Sequence, residues 1–131
     1  MKISRTVSYA VQAALHLAET PSDVPVPCSR IASEGHMPER FLLQILRNLV
    51  THGILHSTRG VDGGYMLERS PDEISLLEVI EAIDGPLVTT IPASESSAER
   101  LRRALQRVTE LTREQLGAVR LSQLMMPPQN K

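Results

Sequence analysis

Aromatic side chains make up only 2% of this 131-residue chain, with two tyrosines, one phenylalanine and no tryptophan. The core must therefore be aliphatic, and single-stranded nucleic acid binding, which relies on stacking aromatics, has little to work with. There is one cysteine, Cys28, which rules out an internal disulfide framework and any CxxC metal site. No apolar run is long enough to span a membrane, and Met1-Lys2-Ile3-Ser4 leads into an amphipathic pattern instead of a secretory signal. A cytoplasmic protein with no membrane partner is expected. Neither sign of charge dominates: the formal net charge is -1, so any contact with a polyanion must come from a local patch and not from a global field. Enzyme signatures are missing as well. Without a phosphate loop, a nucleophile elbow or a carboxylate pair in a candidate cleft, no enzyme is expected, and no catalytic residue, metal site or cofactor is assigned.

What is present is a run of helices ending in a glycine-rich hairpin. Val7, Ala10, Val11, Ala14, Leu15 and Ala18 recur at helical spacing and predict a first helix from about Ser4 to Glu19. Pro21, Pro25 and Pro27 keep the next segment out of helix, so a second helix begins near Cys28-Ser29 and stops at Gly35. Gly35-His36-Met37 reads as a tight turn, and Pro38 as the first residue of a third helix running to about Thr51. These elements make a helix-turn-helix. After His52-Gly53, a strand Ile54–Thr58, a tip Arg59-Gly60-Val61-Asp62-Gly63-Gly64 and a return strand Tyr65–Glu68 describe a wing.

Beyond the wing, Ser75 and Glu78 form a capping box for a helix closed by Gly85-Pro86, with Leu76, Ile80 and Ile83 as its buried face. A second capping box, Ser96-Ser97-Ala98-Glu99, opens a longer helix. Leu101, Ala104, Leu105, Val108, Leu111 and Leu116 give it an apolar stripe opposite Arg100, Arg103, Arg107, Glu110 and Glu114. Such a stripe on an appended helix needs a partner, and the simplest is a second copy, with Leu101, Leu105, Val108 and Leu111 at the contact and Leu121, Leu124, Met125 and Met126 extending it. The expected fold is mainly α with a small β-hairpin wing. Residues 1–85 form the winged helix-turn-helix DNA-binding domain, 86–96 a loop, and 97–131 a dimerisation helix and C-terminal segment.

The motifs resemble the Rrf-two family of bacterial winged-helix transcription regulators. Tyr9-Ala10-Val11, Ile31-Ala32, Phe41-Leu42 and Gln44-Ile45 carry the likeness in the first three helices. It continues in Arg59-Gly60 with Gly63-Gly64-Tyr65, in Val79-Ile80, Ala82 and Asp84-Gly85, and in Leu121-Ser122 with Leu124, so it covers nearly the whole chain. The resemblance implies a homodimer that crosses long C-terminal helices and docks two recognition helices on a palindromic operator in double-stranded DNA; what it senses, a small-molecule or a protein effector, is left open. Cluster-binding members carry three cysteines between the post-wing helix and the dimer helix, whereas Pro86 to Ser96 holds none here, and Ser94, Glu95 and Ser96 are poor ligands for a soft metal. The chain thus resembles the clusterless branch, acting as a repressor without a cofactor.

On the third helix, Phe41, Leu42, Ile45, Leu46 and Leu49 read as core, leaving Arg40, Leu43, Gln44, Arg47 and Thr51 to face the bases, with Glu39 beside them. Gln44 has the amide geometry for adenine, Arg40 and Arg47 suit guanine edges or phosphates, and Leu43 can meet a thymine methyl. Arg59 is the minor-groove candidate, with Gly60, Gly63 and Gly64 allowing close approach, and Lys2, Arg5 and Ser29 are weaker phosphate candidates. Each has a blander reading as a solvated surface residue. Cys28, at a helix start, is either a thiol activated by the helix dipole for redox sensing or a small buried hydrophobe. His16, His36, His52 and His56 fall on separate elements, so solvated or capping roles come ahead of metal ligation. The rival from another class is a winged-helix module for protein interaction, which has no reason to place arginines on both the recognition helix and the wing.

Overall fold

The computed structural model describes residues 1–21, 23–90 and 96–126, and for Ser96 the backbone alone. The expected capping role of Ser96 and the residues Ser94 and Glu95 therefore lie outside the described residues. The helices are α1 (Arg5–Ala18), α2 (Cys28–Gly35), α3 (Glu39–Thr51), α4 (Leu76–Asp84), α5 (Ser96–Ala118) and α6 (Leu121–Leu124). A two-stranded antiparallel hairpin, β1 (Leu55–Thr58) and β2 (Gly64–Leu67), follows α3, and a turn of 3-10 helix spans Pro71–Glu73. This is the mainly helical winged helix-turn-helix read from the sequence.

Local chemistry sets the boundaries. The Ser4 hydroxyl accepts the Val7 amide at 3.1 Å and starts α1. Ser75 and Glu78 form the expected reciprocal box at the start of α4, with bonds of 3.1 and 2.8 Å. Between α2 and α3, His36 and not Gly35 takes the left-handed conformation, with φ 53. There the Met37 amide reaches back to the Ala32 carbonyl at 2.9 Å. Pro38 caps α3 and does not open it: its ψ of 120 is extended, and its carbonyl receives the first helical bond, from Leu42 at 3.1 Å.

The core is aliphatic. On α1, the alanines Ala10, Ala13 and Ala14 are fully buried, and α1 packs against both α3 and α4. Small residues there let the backbones approach closely around Leu42, Leu46 and Leu49. Compared with the expected face, Ala13 and Leu17 are buried while Val11, Leu15 and Ala18 are only partly so, because α1 is covered by several elements at once. On α4, Val79, Ile80 and Ala82 are buried, and Leu76 and Ile83 lie at the margin.

Two readings are corrected. Phe41 is 64% exposed: α3 turns Leu42, Ile45, Leu46 and Leu49 inward, which leaves position 41 on the flank. Leu121 is fully buried in the core of the winged domain, so it is not available to extend a dimer contact. The chain returns there through an antiparallel bridge of Ser75 with Arg120, in which the Leu76 amide donates to the Val119 carbonyl at 2.8 Å and Leu121 donates to Ile74 at 3.0 Å.

Candidate nucleic-acid interface

Because α3 buries one side completely, its opposite side carries only polar and half-exposed residues. Arg40, Gln44, Arg47 and Thr51 are exposed there, and Leu43 is 39% exposed on the flank. The Gln44 amide donates to the Asn48 side chain at 3.2 Å, and the Thr51 hydroxyl donates to the Arg47 carbonyl at 3.0 Å. Glu39 is exposed in the first turn, where a carboxylate suits the positive end of the helix. A carboxylate repels phosphates, so any DNA contact from Glu39 must be to a base amino group.

The wing stands beside this face, and its register pairs Leu55 with Leu67, His56 with Met66, Ser57 with Tyr65 and Thr58 with Gly64. Its base is tied down by a contact the sequence reading missed. Val26, in the proline-containing segment before α2, bridges Tyr65 with bonds of 3.0 and 2.8 Å, adding a short third rung to the hairpin. A Cβ on Gly64 would lie 2.4 Å from the Val26 carbonyl carbon, and one on Gly63 would lie 2.2 Å from the Thr58 carbonyl oxygen. Both glycines are thus demanded by the protein's own backbone, whatever else they contact. Gly60 is different: with φ +114 and open space around its Cα, it shapes an uncovered tip carrying Arg59 and the fully exposed Val61.

Among the described residues, no hydrogen bond or ion pair joins Lys2, Arg5 or Ser29 to α3 or the wing, although all three are exposed. Cys28 is half-buried, with its thiol 4.0 Å from the Glu39 carbonyl. Burial first, and then the Glu39 charge, push this thiol above its ordinary value, the reverse of the activation expected from a helix start. The histidines take pairing and capping roles. His36 and His52 sit at helix ends, His16 lies 2.8 Å from the Glu34 carboxylate, and His56 lies 3.5 Å from that of Glu68. No cluster of metal-ligating side chains occurs among the described residues. The described part of the loop after α4, Pro86 to Thr90, offers no thiolate, so these donors do not fit an iron–sulfur cluster.

A solvent-facing helix of a helix-turn-helix beside an arginine-tipped wing defines a winged-helix transcriptional regulator. The chain belongs to the Rrf2 family, described as iron-dependent transcriptional regulators, whose family model matches residues 3–127. It is 40% identical over 89 residues to an HTH-type transcriptional regulator of Mycobacterium tuberculosis, covering 68% of this chain and 55% of that protein. Against IscR of Aliivibrio salmonicida it is 37% identical, covering 69% and 54%. The chain thus spans little more than half the length of these relatives. The structure of CymR, the global cysteine regulator of Bacillus subtilis, superposes with a TM-score of 0.77 at 28% identity, covering 95% of each chain. These relatives are transcriptional regulators, not enzymes. Among the described residues, no helix is long and apolar enough to cross a membrane.

Proposed function

We propose that the protein is a sequence-specific repressor that binds a palindromic operator as a homodimer, without an iron–sulfur cluster. One observation carries the DNA reading. The winged domain, residues 1–85, has six arginines. Two of them, Arg30 and Arg69, are paired with Glu34 and Glu78 at 3.3 and 2.7 Å. Among the described residues, no carboxylate pairs with the side chain of Arg5, Arg40, Arg47 or Arg59, the four assigned to DNA. Exposed cations left without carboxylate partners are what a chain of net charge -1 needs to meet a polyanion locally.

In this reading Arg40, Leu43 and Gln44, with Glu39, read base edges in the major groove, and Arg59 at the tip shaped by Gly60 enters the minor groove. Lys2, Arg5 and Ser29 add phosphate contacts. Residues 97–131 supply the dimer contact, because Leu101, Leu105, Val108 and Leu111 are all 40–56% exposed along one side of α5. Residues 86–96 link the two parts. Repression is the simplest outcome, since it needs only occupancy of the operator. Selection from a random duplex pool at stated salt tests the proposal: an enriched palindrome supports it, and no enrichment would favour a protein-interaction module.

A further inference from the structure

A cleft of about 370 Å³ lies between α3 and the wing, lined by Arg47, Val50, Thr51, Ser57 and Tyr65. Two of these residues meet because of strand register. Ser57 and Tyr65 are direct partners across the hairpin, so their side chains share a face. The Tyr65 amide and carbonyl are both committed to Val26, which makes Ser57–Tyr65 a non-hydrogen-bonded pair, the kind with the closer side chains. The Thr51 hydroxyl is spent on the Arg47 carbonyl. The Ser57 and Tyr65 hydroxyls and the Arg47 guanidinium have no hydrogen-bond partner among the described residues. Three donors therefore converge on one cleft with no acceptor of their own.

We infer that this cleft seats one backbone phosphodiester of each DNA half-site, held by Arg47, Ser57 and Tyr65. The inference rests on the DNA reading and deepens it. A protein with a helix in the major groove and a wing tip in the minor groove must straddle the strand between them, and that strand presents a phosphate where helix meets wing. An arginine with two hydroxyls can aim several donors at the oxygens of one phosphate. Burial keeps the Tyr65 phenol above its ordinary value, with Cys28 adding to this and Arg47 opposing it, so the hydroxyl stays protonated and able to donate. Arg47 then positions the protein on the duplex, leaving sequence discrimination to Arg40, Leu43 and Gln44.

The test uses the full chain and its selected duplex. Tyr65→Phe and Ser57→Ala should each weaken binding by roughly tenfold, as expected for loss of a hydrogen bond to a charged group. The loss should be equal on the selected duplex and on single-base variants of it, and the salt dependence should not change. Arg47→Met should also lower the slope of log affinity against log salt by about 0.9. One uncharged methylphosphonate per half-site, at a single position, should weaken binding and lower the salt slope as Arg47→Met does, and on that duplex Tyr65→Phe and Ser57→Ala should cost little more. Wild-type affinity for both hydroxyl variants, or losses confined to the selected sequence, would overturn the phosphate seat while leaving the DNA reading intact. A wild-type chain that selects no duplex would sink both.

Discussion

The Leu121 amide donates to the Ile74 carbonyl at 3.0 Å, which fastens the end of the long helix region back onto the winged domain. With Leu121 buried in the core, α5 is held at its C-terminal end as well as through α4, where Arg113 pairs with Glu81. Its exposed apolar stripe is thus presented at a defined angle to α3.

Charged replacement of Leu105 and Val108 together should give monomers with much weaker operator binding, since these side chains are 40% and 56% exposed and lie outside the buried core. Light scattering checks this. A dimeric mass in the double variant would move the interface elsewhere.

Arg59→Ala and Gln44→Ala should fail in different ways. With Arg59 in the minor groove as proposed, the first removes a cation there, so binding should weaken most on A·T-rich flanks and the salt slope should fall by about one counterion. The second removes a base-edge bond, costing about 1–3 kcal/mol on the selected half-site and almost nothing on scrambled DNA. Isotherms on both duplexes at several salt concentrations separate the two. Equal losses on both duplexes for Gln44→Ala would mean that α3 is not the reading surface.

Operator affinity should be indifferent to an iron chelator, because the donors near the loop after α4 do not suit a cluster. A stoichiometric visible absorption in protein purified without air would contradict this.

Glu78 makes acid stability a test of the α4 cap. Burial raises its carboxyl, but the Ser75 amide and the Arg69 guanidinium outweigh this and hold it below its ordinary value of 4.5. A depressed carboxylate contributes stability that is complete above 4.5 and is lost as pH falls through the lower folded value. Melting temperatures of the wild type should therefore drop more steeply in that acid range than those of Glu78→Gln. Parallel curves would remove Glu78 from the account.

Much of this was legible in the sequence because punctuation is local. Gly35 with Pro38, Gly53, the wing glycines and the Ser75–Glu78 box mark boundaries through the chemistry of single residues. What was missed depends on partners distant in sequence. Leu121 reads as apolar, but nothing local says whether its own core or a second copy covers it. Phe41 fits an apolar stripe that proves narrower than the periodicity allows. The Val26 bridge is hidden in a proline-containing segment, and without it the steric need for Gly64 against Val26 cannot be seen. Ser57 and Tyr65 went unnoticed as donors because the cleft exists only once strand register is known.

The glycines give a direct check. Gly60→Ala meets open space and should cost only the strain of its backbone angle, about 1–3 kcal/mol. Gly64→Ala adds an overlap with Val26 and should cost clearly more, as judged by denaturant midpoints. Equal costs would mean that the bridge yields easily.

The Val26 bridge also bears on the thermodynamics of docking. Since it secures the wing at Tyr65, directly beside α3, the pitch between helix and hairpin is set before any DNA arrives, and the chain left to be immobilised is the short tip from Arg59 to Asp62. Little conformational freedom remains to be surrendered, so the duplex must do most of the adapting. Stiff and pliable spacer sequences should therefore differ in affinity even where no side chain touches them.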